Sequence, residues 1–186
     1  MNTFRWGGAI AALGGGLLIL SELVEVAGGG FSRPSFAVTI AAFFVLAVGI
    51  WGLHGRQAKE GGRLSLAGAA LFSVGAVLEG VADLIGFGAT TEAELHARTG
   101  LLVPIGFSVL ILGAILFGIA ALRAGIYPRL AAVVTITAPI LLPLIFSLGL
   151  PFIGTSLANT ALGAAFVVMG LQPRSGKTSA ARRGVR

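Results

Sequence analysis

The sequence predicts an all-α fold: a polytopic integral membrane protein built as a six-transmembrane-helix bundle. Apolar residues fill 56% of the 186 positions and charged residues only 11%, and the mean hydropathy is +0.97. A soluble domain of this length could not cover so much apolar surface with polar side chains. Six apolar windows, each close to the roughly 20 residues that a bilayer core requires, provide the spans. They are 6–27, 36–53, 64–86, 101–122, 130–150 and 152–171.

Local features support individual spans. The first span follows Arg5 and lacks a small-residue cleavage site, so we expect a retained helix and not a signal peptide. The fifth contains Pro139 and Pro143, which remove helical hydrogen bonds and predict either a hinge or pocket wall or an ordinary membrane kink. Only residues 149–151 separate the fifth span from the sixth. Because about 42 residues suffice for two crossings, we expect a tight hairpin there.

Basic residues indicate the orientation of the bundle. If the N-terminus is cytoplasmic, eleven of the thirteen lysines and arginines lie inside, and only Arg33 and Arg98 lie outside. We therefore expect both termini in the cytoplasm. The net charge of +6 then follows from topology and from anionic inner-leaflet lipid, without nucleic acid as a partner. The eleven inner residues are Arg5, Arg56, Lys59, Arg63, Arg123, Arg129, Arg174, Lys177, Arg182, Arg183 and Arg186.

The inner ends of the second, fourth and sixth spans resemble one another. Each carries glycine, leucine and then arginine, as in residues 49–56, 118–123 and 168–174. This pattern suggests three tandem two-helix hairpins, although any inward helix end tends to have that composition. After the sixth span, residues 172–186 are rich in serine, alanine, glycine and arginine, which predicts a disordered basic cytoplasmic tail.

Acidic residues gather on the outer side. Four of the seven lie inside spans, namely Glu22 and Glu25 in the first and Glu79 and Asp83 in the third. A carboxylate within a span costs free energy, so such residues are candidates for function. The spacings of three and four residues place each pair on one helix face.

Small residues share those faces and indicate where neighbouring helices approach. Glu22 shares its face with Gly8 and Gly15, and Glu79 with Gly68 and Gly75, so we expect both acids to point into the bundle. Asn159 and its polar neighbours on the sixth span lie at comparable depth. These residues predict an outward-facing acidic pocket for a small cation, a proton or the amine of an amphiphile. The structural alternative is that the acids, above all Glu25 and Asp83, only reach the membrane interface.

Few groups suit catalysis or metal binding. The chain has no cysteine, which excludes thiolate metal sites and cysteine nucleophiles. His54 ends the second span, where the helix dipole favours a cation, and His96 falls in an outer loop. We expect neither histidine to lie near a membrane-embedded serine, so no serine triad is predicted. No cofactor is predicted, and no metal site, although carboxylates of this kind could bind Ca²⁺ or Mg²⁺.

Residues 116–130, LFGIAALRAGIYPRL, together with the turn GLHGR at 52–56, resemble small multipass proteins of uncharacterised function from actinobacteria and other high-GC bacteria. The resemblance implies a bacterial plasma membrane and about six helices, and it implies no activity. In size, helix number and cytoplasmic termini the chain is also similar to the substrate-binding subunits of energy-coupling-factor vitamin transporters. That similarity is one of shape, without a matching binding motif.

Three classes of function remain open. The first is binding or transport of a small cationic or amphiphilic ligand at the outer acidic residues Glu22, Glu25, Glu79, Asp83 and Asn159. The second is a non-catalytic accessory subunit of a larger membrane complex or homo-oligomer, packed through its glycine-rich faces. The third, and the least supported, is an intramembrane enzyme acting on a lipid or isoprenoid with a protonated glutamate as general acid.

Overall fold

The structure, a computed structural model, describes residues 6–30, 32–147 and 151–173. Within these ranges the chain is helical and contains no strand, which confirms the all-α class. The tail predicted from residue 172 lies outside the described residues from 174 onward. The helices are α1 (Gly7–Gly28), α2 (Arg33–Ile85), α3 (Glu92–Thr99), α4 (Leu102–Ala124), α5 (Arg129–Ser147) and α6 (Pro151–Leu171).

Helix α2 contains both the second and the third predicted spans in 53 residues. Its backbone leaves the helical region at Gly62, where φ is 53° and ψ is −143°, a conformation that side-chain-bearing residues rarely adopt. Residues 33–61, the first arm, fold back against residues 63–85, the second arm. The Ser73 hydroxyl of the second arm donates to the Ala47 carbonyl of the first at 2.9 Å. The segment is therefore an antiparallel helical hairpin.

Helix α3 lies in the connection before α4, where the sequence analysis expected a loop. The Thr91 side chain accepts a hydrogen bond from the Glu94 amide and caps its start. The Thr90 amide donates to the Glu94 carboxylate at 2.9 Å, and this hydrogen bond, supported by an ion pair with Arg98, lowers the pKa of Glu94. Leu95 packs on Phe36, which fixes α3 to the start of α2. A threonine three residues before a glutamate is a pattern typical of a helix start.

Three of the described helices, α1, α2 and α4, are long and apolar enough to cross a membrane. Helices α5 and α6 contribute shorter apolar stretches, 129–145 and 156–171. Large apolar side chains are exposed along the outer surface of α1, including Leu13, Leu20 and Leu23. Such a surface suits contact with lipid tails. Six crossings remain a prediction from the sequence.

The helices pack in chain order and close into a ring. Helix α1 contacts α2, α2 contacts α4, α4 contacts α5, α5 contacts α6, and α6 returns to α1. The end of the first arm meets the end of α6, because Arg56 donates to the carbonyls of Gly170 at 3.4 Å and Gln172 at 3.1 Å. It also meets the α4–α5 turn, where the Tyr127 hydroxyl donates to the Leu53 carbonyl at 2.7 Å. We call this end, rich in arginine and lysine, the basic end, and the opposite end the acidic end.

Glycines allow several neighbouring helices to touch backbone to backbone. A Cβ atom at Gly52 would overlap the Cα atom of Gly7, and one at Gly49 would lie 2.6 Å from the Cα atom of Ala11. On another face of α1, a Cβ atom at Gly163 of α6 would lie 2.6 Å from the Gly15 carbonyl oxygen. Lipid tails are as apolar as the side chains of the helices, so no hydrophobic force drives helices together in a bilayer. Close packing of this kind then supplies much of the attraction between them.

Gly52→Ala should lower the melting temperature of the detergent-solubilised protein, because the added methyl group forces α1 away from the first arm. Overpacking of this kind costs about 1–3 kcal/mol. The matched control is Gly16→Ala, since a Cβ atom there meets nothing within 4 Å. That control should be neutral or stabilising, because alanine favours helix by about 1 kcal/mol over glycine. Equal losses of stability in the two variants would contradict the backbone contact.

Candidate functional site

Glu22 lies on the face of α1 that packs against α6. Its exposed fraction is 6%, and its Oε1 atom accepts a hydrogen bond from the Asn159 side-chain amide at 2.7 Å. Gly15, seven residues earlier on the same face, touches Gly163 of α6 and brings the two helices together. The side chains of Glu22 and Asn159 can therefore meet directly within the bundle.

Glu79 lies on the face of the second arm that packs against α4. Its exposed fraction is 7%, and a Cβ atom at Gly106 of α4 would lie 2.7 Å from its Oε1 atom. Gly75 on the same face lies against the backbone of Leu110. The Oε1 atom of Glu79 is buried and has no hydrogen-bond partner among the described residues. A buried acceptor in this state is costly, by about 1–3 kcal/mol for a neutral group and more for a charged one.

Asp83 links the acids of the two helices. Its carboxylate lies within electrostatic range of Glu22 and Glu25 on α1, and Glu79 lies within range of Asp83. Asp83 and Glu25 are partly exposed as whole residues, but the Oδ2 atom of Asp83 is buried and without a partner among the described residues. We call Glu22, Glu25, Glu79 and Asp83 the carboxylate cluster.

No described basic side chain forms an ion pair with the carboxylate cluster. Of the arginines at this end, Arg98 pairs with Glu94 and donates to the Phe87 carbonyl. A carboxylate removed from water needs a proton, a hydrogen-bond donor or a cation to offset its lost solvation. Asn159 supplies one donor to Glu22, and the described protein supplies none to the orphan oxygens of Glu79 and Asp83.

The cluster does not have the geometry of a metal centre. Among the described residues, no group of three or more histidine, aspartate and glutamate side chains converges closely enough to hold a metal ion.

A second group of polar side chains lies at the basic end, and it was not predicted from the sequence. His54 Nδ1 lies 2.8 Å from the Ser65 hydroxyl, and the Gln57 side-chain amide donates to the same hydroxyl at 2.9 Å. The prediction that neither histidine lies near a membrane-embedded serine was therefore wrong, because the fold-back at Gly62 brings positions 54 and 65 together. Ser65 and Gln57 are both 0% exposed, so the group is closed to substrates and ties the two arms to each other.

The other polar residues of the sixth span differ in their exposure. Ser156 is 8% exposed, whereas Asn159 and Thr160 are partly exposed. The side chain of Thr155 lies outside the described residues. Of this group, Asn159 makes the direct contact with the carboxylate cluster.

Comparison with known proteins identifies no relative of the chain. No family model matches the chain. No curated protein and no solved structure matches it either. The resemblances to small multipass bacterial proteins and to vitamin-transporter subunits therefore remain expectations.

Replacing Asn159 by leucine, which keeps a similar volume, should destabilise the protein by about 1–3 kcal/mol, because Glu22 loses its donor. In a Glu22→Leu background the same substitution should cost much less. Thermal unfolding of the four proteins of this double-mutant cycle measures the coupling. Equal effects of Asn159→Leu in both backgrounds would mean that the hydrogen bond between Asn159 and Glu22 contributes no stability.

Proposed function

We propose that the chain is a polytopic protein of the bacterial plasma membrane that binds or transports a small cation, or the cationic group of an amphiphile, at the carboxylate cluster. The observation that carries the proposal is the buried carboxylate of Glu79, whose Oε1 atom has no partner among the described residues and which lies near Asp83. Natural membrane proteins keep such groups where they meet a ligand, an ion or a proton. A bound cation offsets the charge that no described basic residue balances.

The proposed topology has six crossings, with both termini and the basic end in the cytoplasm. Three observations support it: the antiparallel arms of α2, the packing of helices in chain order, and the collection of basic turns at one end. Basic residues are retained on the cytoplasmic side of short loops. The carboxylate cluster then lies toward the outer face of the membrane.

The chain has no cysteine, so single cysteines can report the topology without background. In intact cells, a membrane-impermeant maleimide should label Ala93→Cys, in α3 at the acidic end, and should not label Ala58→Cys, near the end of the first arm at the basic end. Both positions are exposed, so Ala58→Cys should become reactive once the cells are opened. Labelling of Ala58→Cys in intact cells would reverse the proposed orientation.

Ligand binding is tested by native mass spectrometry of the gently solubilised protein and its Glu22→Gln/Glu79→Gln variant. Glutamine keeps the shape of glutamate and removes its charge, so we expect a discrete small-molecule or lipid adduct on the wild type that the variant lacks. The matched control is Glu60→Gln, which removes an exposed carboxylate at the basic end. That control should retain the adduct.

Binding of a cation to carboxylates competes with protons, so adduct occupancy should fall as the pH is lowered. The same adduct on all three proteins, or none on any of them, would contradict the proposed site. A stable complex with a second protein or a fixed oligomer, again without an adduct, would instead support the accessory-subunit alternative.

A further inference from the structure

The kind of cation that fits the carboxylate cluster follows from how its oxygens are arranged, and this inference rests on the proposed function. Asp83 lies within electrostatic range of Glu22, Glu25 and Glu79, yet among the described residues no three histidine, aspartate or glutamate side chains group closely enough to hold a metal ion. A divalent metal ion would have to lose water without gaining the six to eight close oxygens that Ca²⁺ takes, and Mg²⁺ gives up water still less readily.

The unsatisfied atoms at the site are acceptors. The Oε1 atom of Glu79 and the Oδ2 atom of Asp83 are both buried and without a donor among the described residues. An ammonium group carries up to three N–H donors, each of which needs one acceptor and no shared coordination point. Charge-assisted N–H···O bonds of this type, about 2.7–2.9 Å long, are among the stronger hydrogen bonds in proteins.

Asp83 occupies the central position among the four acids. It lies within range of Glu22 and Glu25 on α1 and of Glu79 on its own arm. Glu22 already accepts from Asn159, and Glu79 lies against the backbone of α4 at Gly106. Asp83 is partly exposed as a whole residue, and its buried Oδ2 atom lacks a donor among the described residues.

The surroundings are apolar. Leu84 and Ile85, next to Asp83 in the chain, are 58% and 49% exposed, and Leu23 and Val26, on either side of the Glu25 region, are 60% and 54% exposed. The end of the bundle that carries the carboxylates therefore also exposes large apolar side chains, at neighbouring positions of the same helices. This combination suits a molecule with a charged amine and a hydrocarbon portion.

We propose that the ligand is an organic amine with an apolar chain, and that Asp83 is the carboxylate at the centre of its ammonium-binding site. Glu79 offers a second acceptor, and Glu22, held by Asn159, contributes charge from the opposite helix. A divalent metal ion that sheds its water would find too few converging side-chain carboxylates among the described residues to replace it.

The test uses the full-length protein in nanodiscs of neutral lipid and three probes: octylamine, its uncharged analogue octanol, and CaCl₂. Octylamine near a hundred times its dissociation constant should raise the melting temperature by about 5 °C or more, and the rise should saturate. Octanol and CaCl₂ should leave it unchanged. Asp83→Asn should raise at least tenfold the octylamine concentration that is needed for the same rise in melting temperature. Glu60→Gln should leave that concentration unchanged.

The outcomes separate this inference from the proposed function. Stabilisation by CaCl₂ and not by octylamine, lost in Glu22→Gln/Glu79→Gln, would overturn the amine and keep a cation site. An octylamine effect that survives Asp83→Asn but is lost in the Glu22→Gln/Glu79→Gln variant would overturn the role of Asp83 alone. Equal stabilisation by octanol, or no effect of either cation, would overturn both proposals. If Asp83→Asn fails to fold, Asp83→Glu replaces it, and the probe comparison on the wild type still decides the ligand class.

Discussion

Backbone contact between α1 and two of its neighbours is the constraint on which the rest of the structure depends. Gly7 meets Gly52 of the first arm, and Gly15 meets Gly163 of α6. Any side chain at these positions would separate the helices, and within a membrane no hydrophobic force would restore the contact. The position of Glu22 follows from this packing. Its hydrogen bond from Asn159 requires α1 and α6 to lie as close together as the backbone contact between Gly15 and Gly163 allows. Helix packing and the polar site are therefore properties of the same face of α1.

The carboxylate cluster works against the stability that this packing provides. Each buried acid loses solvation, and each also repels its neighbours. Residues that break the general rules of folding in this way tend to mark functional sites, with the cost offset elsewhere in the molecule. Among the described residues, the carboxylate oxygens without a partner, on Glu79 and Asp83, both lie at the acidic end, and the centre of the bundle is apolar around Phe72, Phe117 and Phe166.

Helical periodicity was sufficient to identify which residues share a face. It placed Glu22 with Gly8 and Gly15, and the structure puts that whole face against α6. It could not identify Asn159 as the partner, because the closure of α6 onto α1 depends on the order of helices around the ring and not on any local pattern. The contact between His54 and Ser65 was missed for a related reason: the register of the two arms is set by where the chain reverses, at Gly62. Helix α3, by contrast, has a local capping residue, Thr91, from which the start of the helix could have been predicted.

The closure of the ring has a consequence for biogenesis. Sequential neighbours can pair as soon as they leave the ribosome, but Asn159 follows Glu22 by 137 residues. At a synthesis rate of about 5–20 residues per second, that separation corresponds to a delay of roughly 7–27 s. During this interval α1 carries Glu22 without its amide donor, and its glycine face is not yet covered by α6. Of the described helices, α6 is synthesised after all the others and supplies the donor for Glu22 on α1, so a chain truncated before α6 leaves Glu22 without its partner.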